Sequence, residues 1–443
     1  MSTQPPLRRS RRHATIIPIS DWMSIGYSED DAALMEELQQ RMKAYRDDDD
    51  EGTIALSIWR ERYVQHHDWM IPHWKELFKA LRGRTSVTTV NIRRIHLPTS
   101  VLNIIFPSLK TMPNLTKLDL VQTRLVDKGL LMLSSFLKLN SSLHELFIDG
   151  YKMGLSVASA LSDALNEHPT LEKLVLDNGG LEENPEILEK ILEGCTRLTS
   201  LALMDNLGSV AVSVLSDFIR GNHPIRNIFL KHNRISDNDT VLLASALKTN
   251  TNLKQLDLRE NDITEEGNKN TFRALYDPTS MDSIVESNHT CITYSRDITN
   301  QSIWDQLTPF EREVMKILND GNLSTQQKIR RKVVLALCGV DGELFDLSHL
   351  NDLPLKLMPR VLELIQEHTS GRTNAVGICA AAPPGFICPR LAALLDADAP
   401  QLQNDALTRL FHTLRGWELP LLFENLRSPS KTTGKRKRMK TRR

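Results

Sequence analysis

The chain has 443 residues with 55 basic and 55 acidic side chains, and the charge is unevenly placed. Eight Lys or Arg and no acid fall between Lys431 and Arg443, so the remainder holds 55 − 8 = 47 bases against 55 acids, a net of −8. Five scattered cysteines, odd in number and without a C-x-x-C pair, speak against a disulfide framework or a zinc site. No apolar run approaches the roughly 18–20 residues of a membrane span, and the N-terminus lacks the apolar core of a secretory signal.

In chain order, residues 1–53 are expected to be disordered, apart from a short helix near Asp31–Tyr45. Apolar groups are few there, too few to offset the entropy of ordering. The cluster Arg8-Arg9-Ser10-Arg11-Arg12 reads as a solvated basic tail. A targeting presequence and a phosphorylation site at Ser10 are its other readings. Residues 54–84 are expected to form a helical cap. Trp59, Tyr63, Trp69, Trp74, Leu77, Phe78 and Leu81 concentrate there. His66, His67, His73 and Asp68 lack a metal-ligand spacing.

One phrase is then written repeatedly. Leu115-Thr-Lys-Leu118-Asp-Leu120 returns as Leu143/Leu146/Ile148, Leu171/Leu174/Leu176, Leu198/Leu201/Leu203, Ile225/Ile228/Leu230 and Leu253/Leu256/Leu258. The steps are 28, 28, 27, 27 and 28 residues. The register extends back to Val87, Val90 and Ile92, and forward to Met281 and Ile284, where it decays. A fixed period of this length, with L-x-x-L-x-L in each copy, is the signature of leucine-rich repeats. Residues 85–301 are assigned to them.

The pattern resembles the ribonuclease-inhibitor-like branch of the leucine-rich-repeat family. That resemblance implies an α/β solenoid with a parallel inner sheet and outer helices, a helical N-terminal cap and an α-helical C-terminal region. Asn206, Asn233 and Asn261 fit the family's turn asparagine. Thr123, Tyr151, Gly179 and His289 stand in its place elsewhere.

Residues 302–426 read as that helical region. Thr308-Pro-Phe-Glu311 is a capping box. Ser324-Thr-Gln-Gln327 starts a second helix. Leu357–His368 and Ala399–Arg415 are two more, separated by a loop over Ser370–Pro389. Residues 427–443 are a basic tail.

Strand alternation locates a concave surface. The residue between the second and third apolar positions should face it, giving the row Asn91, Asp119, Phe147, Val175, Ala202, Phe229, Asp257, Val285. Two residues on, the row is Arg93, Val121, Asp149, Asp177, Met204, Lys231, Arg259, Ser287. Phe147, Val175, Ala202, Met204 and Phe229 are expected to make one apolar patch. Asp149 and Asp177 rim one side, Lys231 and Arg259 the other. A dry centre within a charged rim is the anatomy of a protein-binding surface. Coverage by the chain's own termini and idle surface are the other readings.

Lys435-Arg436-Lys437-Arg438 with Lys440 reads as a nuclear-import signal or a phosphate-binding tail. No nucleotide-binding, hydrolase, kinase or metalloprotease motif occurs. The expectation is a non-enzymatic, monomeric scaffold in nucleus or cytoplasm. It has no cofactor or metal and no membrane, and it holds a protein partner. An import receptor or nucleic acid at the tail is a further expected partner. Two alternatives stand beside this reading. One is a GTPase regulator of the Ran GTPase-activating type, although that family ends in acidic residues where this chain ends in basic ones. The other is a nucleic-acid-associated adaptor acting through the tail.

Overall fold

The computed structural model describes residues 14–48, 51–57, 63–279, 281–295 and 307–338. The chain divides into two compact units, residues 1–332 and 333–443. Of the second, only residues 333–338 are described.

Nine parallel strands form one sheet in sequence order. β1 is Thr53–Ser57, β2 Thr89–Arg93, β3 Lys117–Val121, β4 Glu145–Asp149 and β5 Lys173–Asp177. β6 is Ser200–Ala202, β7 Asn227–Phe229, β8 Gln255–Asp257 and β9 Ile292–Tyr294. Each central strand leads into a helix. These are α4 (Thr99–Leu109), α5 (Asp127–Leu139), α6 (Leu155–Glu167), α7 (Pro185–Gly194), α8 (Ser209–Arg220), α9 (Asp237–Thr249) and α10 (Glu265–Leu275). This is an α/β leucine-rich-repeat solenoid.

The repeated leucines explain the arrangement. In the third strand Leu118 and Leu120 alternate inward, and Leu115 enters the same core just before it; all three are fully buried. One repeat cannot bury these groups alone, so stacking supplies the core. The helix contributes the opposite wall, as Leu130, Leu133 and Leu137 do from α5. Their i, i+3, i+7 spacing is one face of a helix.

Two polar devices tie neighbouring repeats. Asn233 Nδ2 donates to the carbonyls of Leu203 and Leu230, both at 2.8 Å, while Oδ1 accepts from Asn206 N at 2.8 Å and Leu207 N at 2.7 Å. Asn206 and Asn261 bind turn backbone in the same way. The second device lies after the helices. Asn140 Oδ1 accepts from Ser142 N and Leu143 N, and Asn250 Oδ1 from Asn252 N and Leu253 N. His168 Nδ1 takes the same role, accepting from Leu171 N at 3.1 Å. Burial lowers this imidazole to about 4, which keeps the accepting nitrogen unprotonated.

Where the turn asparagine is missing, the packing changes. Tyr151 is buried, and its ring occupies the space that a side chain at Gly179 would need. The pair is one large residue and one absent side chain, replacing two successive asparagines of the ladder.

The ends differ from the sequence expectation. The short helix expected near Asp31–Tyr45 is present as α2 (Glu29–Asp47), and α1 (Ile19–Ser24) precedes it within residues expected as disordered. Leu34, Met35, Leu38 and Met42 line the buried face of α2, and Trp22 is fully buried. Residues 53–57 are a strand and not part of a helical cap; only α3 (Ile71–Leu81) is the helix expected there. The open edge of β1 is met by α2. Tyr45 Oη donates to Ala55 O at 3.2 Å and Arg41 to Ser57 O at 3.1 Å. Arg84 in turn caps the end of α2 through the carbonyls of Tyr45, Arg46 and Asp48. A bare sheet edge invites pairing with another chain, and these contacts satisfy part of it.

At the other end, Met281–Glu286 is a helix, α11, and not a decayed strand. Val285 and Ser287 therefore leave the concave rows. The true ninth strand pairs Ile292 with Gln255, a step of 292 − 255 = 37 residues. The extra residues hold α11, so the phrase continues out of period. Beyond it, α12 (Pro309–Asn319) begins at the expected capping box, with Thr308 N donating to Glu311 and Glu311 N to Thr308. α13 (Thr325–Cys338) starts after Ser324, whose Oγ accepts from Gln327 N. The helices expected at 357–368 and 399–415, the loop between them and the basic tail lie outside the described residues.

Candidate concave binding surface

The sheet brings the expected row into register. Asn91, Asp119, Phe147, Val175, Ala202, Phe229 and Asp257 are successive partners. Ala55 precedes them and Tyr294 follows, in the place expected for Val285. Asp149 pairs with Asp177 two residues further on.

The row is not an open apolar patch. Val175 and Ala202 are each only 4% exposed. They are the short side chains between Phe147 and Phe229 in the row. Phe147, Met204 and Phe229 remain partly exposed and form the accessible apolar surface.

Phe147 has a charged setting. Lys117 Nζ lies 4.7 Å from its ring centre and Lys173 Nζ 4.8 Å. Each ammonium is also 3.8 Å from Glu145 Oε2, on the strand between them. The three residues are cross-strand neighbours, two before Phe147 in register. A cation over an aromatic face contributes about 0.5–1 kcal/mol at an exposed site.

The basic rim on the far side is already engaged. Arg259 makes a two-point contact with the buried Asp257 and lies over the Tyr294 ring at 5.8 Å. Lys231 Nζ is 2.7 Å from Glu260 Oε1, and His232 Nε2 is 2.7 Å from Oε2. At the first repeats, Arg93 likewise pairs with the buried Asp119 at 3.1 Å. The acidic rim differs. Asp149, Asp177 and Asp205 interact electrostatically with one another. Burial first, then the neighbouring acids, pushes the Asp177 carboxyl up to about 6, against a hydrogen bond from Met204 N at 3.0 Å. Burial also raises Asp149, with Asp205 adding to it. The third member was missed from sequence. Asp205 sits in the left-handed region at the strand-end turn, as do Arg94, Gln122, Gly150, Asn178, His232 and Glu260 in their repeats.

Other sequence candidates sit elsewhere. His67 Nδ1 accepts from Trp69 N at 3.2 Å. Burial lowers the His66 imidazole to about 4 and also lowers His73. Among the described residues no group of three or more His, Cys, Asp or Glu could hold a metal. Cys195 and Cys291 are buried, and burial pushes both thiols up. No described helix is long and apolar enough to cross a membrane. Lys435, Arg436, Lys437, Arg438 and Lys440 lie outside the described residues.

No family model matches the chain. In sequence, it is 34% identical over 133 residues to "NACHT, LRR and PYD domains-containing protein 5" of Mus musculus. That match covers 29% of this chain and 11% of the mouse protein, so the chain spans about a tenth of this relative. Among solved structures, the actin-binding site 2 of leiomodin-1 is similar at 16% identity and a TM-score of 0.25, over 41% of this chain and 86% of that one. An internalin from Listeria monocytogenes is similar at 14% identity and 0.28, over 59% and 84%. The repeated phrase, the nine-stranded parallel sheet and the sequence match together make this a leucine-rich-repeat protein.

Proposed function

We propose that the chain is a non-enzymatic interaction scaffold that holds a protein partner on the concave face of its solenoid. One observation carries this reading. Phe147 stands partly exposed on β4 between Lys117 and Lys173, with Phe229 three strands along the sheet and Met204 in the turn after β6. Aromatic side chains so placed are the residues on which binding energy concentrates, at about 2 kcal/mol or more each. The contact set is Phe147, Met204 and Phe229, with Asp149 and Asp177 at the rim. Val175 and Ala202 support it from below, and Lys231 and Arg259 act through the pairs they already make.

The test compares partners retained from cell extract by the wild-type chain and by a Phe147→Glu/Phe229→Glu variant of equal stability. Loss of a defined protein from the variant alone is expected. An unchanged set of partners refutes the concave-face reading.

A further inference from the structure

The centre of the concave face changes sign along the strands. At their N-terminal ends Lys117 and Lys173 flank Phe147, each about one-third exposed. At their C-terminal ends lie Asp149 and Asp177, with Asp205 in the turn of the next repeat. Lys173 and Asp177 are four residues apart on one strand, or ~13 Å at about 3.3 Å per residue. Among the described residues the cations pair with Glu145 and Asp119, at 3.8–3.9 Å. Asp149 has a side-chain hydrogen bond from Asn178 and the more distant charges of Arg93 and Arg94, and Asp177 has a backbone donor in Met204 N. Beneath this acidic end the Tyr151 hydroxyl, 2% exposed, has no hydrogen-bond partner among the described residues and feels the charge of Asp177.

Resting on the concave-face reading, we infer that the partner is a polypeptide segment of matching polarity, laid along the strands over Phe147. It carries a Lys or Arg against Asp149, Asp177 and Asp205, and an Asp or Glu against Lys117 and Lys173. An apolar side chain between them meets Phe147 and Met204. The basic group relieves the mutual repulsion of the partly buried Asp149 and Asp177 and the exposed Asp205, and complementary charge fixes the direction of the segment. The two charges in the partner stand ~13 Å apart, the length of four residues of extended chain.

A displayed library of random peptides, selected on the full-length chain, tests this. Peptides enriched by the wild-type chain should carry a base and an acid on opposite sides of an apolar residue. With Asp177→Asn/Asp205→Asn, enrichment of the base should fall about tenfold while that of the acid stays. With Lys117→Gln/Lys173→Gln the reverse should hold. These neutral replacements are near-isosteric and leave the leucine core untouched. Phe147→Glu separates this inference from the reading beneath it. If enrichment is lost with Phe147→Glu but shows no charge pattern, the concave face binds and the polarity inference falls. If enrichment survives Phe147→Glu, the concave-face reading falls and takes the inference with it. A base preference that persists without Asp177 and Asp205 also overturns the inference.

Discussion

Gly179 is the position where one added carbon should be felt most clearly. It is not in the left-handed region, so its backbone would accept alanine. The obstacle is steric, because a Cβ there would overlap the Cζ, Oη and Cε2 atoms of Tyr151. Tyr151 is 2% exposed and cannot swing into solvent without uncovering the core. Overpacking costs about 1–3 kcal/mol, and rigid aromatic overlap places Gly179→Ala near 3 kcal/mol. In a Tyr151→Ala background the same substitution meets a cavity, and its cost should fall below about 1 kcal/mol. The coupling between the two sites is then about 2 kcal/mol, well above the value for independent positions. Equilibrium urea unfolding of the four proteins, followed by far-ultraviolet circular dichroism, measures it. Equal costs of Gly179→Ala in both backgrounds would refute the large-with-absent pairing that replaces the asparagine ladder there.

Other outcomes follow from the same structure. Asn233→Ala removes five hydrogen bonds to backbone groups, of which Leu230 O keeps its bond from Asn261, and should cost about 3 kcal/mol, read from the shift in urea midpoint. Asp177 holds its proton up to about 6, above its ordinary 3.8, so the folded state binds the proton more tightly. Its contribution to stability is present below pH 4 and is lost as pH rises through 6; Asp177→Asn should remove that slope and stabilise by about 1–2 kcal/mol at pH 7. Lys332 is fully buried, and its ammonium donates to the carbonyls of Leu275 and Asn288 and to Ser287 Oγ. Burial first, then Lys328, lowers it from 10.5 to about 7, so the unfolded chain binds the extra proton between these values and stability should rise with pH across that window. Lys332→Met should lose that rise. It should also leave the acceptors unpaired, so that amide exchange in α13 speeds up at pH 7 by about tenfold or more.

The repeats were legible because each carries its own copy of the same constraint. Leu118 and Leu120 state a strand, and Leu146 and Ile148 repeat the statement 28 residues later. Register followed too, since alternation fixes which residues share a face. The ends were not legible, because an end repeat faces different neighbours. α2 did carry a signal, with Ser28 accepting from Asp31 N at its start and Leu34, Leu38 and Met42 at helical spacing. That signal gave the short helix near Asp31–Tyr45, whereas α1 and the burial of Trp22 were hidden by the polar composition around them. β9 was hidden because α11 lengthens its repeat. Within the site, exposure was harder to read than position. Whether Val175 is open depends on side chains from strands 28 and 27 residues away, and sequence alternation carries no side-chain length. The pairing of Lys231 and Arg259 was missed for the same reason. Their partners, Glu260 and Asp257, were in plain view, but the contact depends on how the turns fold back.

Site-specific photocrosslinking distinguishes a partner seated on the concave sheet from one seated on the outer helices. A photoreactive side chain is placed at Met204 on the concave face, or at Val210 on α8, which is 62% exposed on the helical side. Each protein is irradiated with the partner retained by the wild-type chain. A crosslinked complex is expected from position 204 and none from position 210. A crosslink from 210 with none from 204 would place the partner on the helices and contradict it.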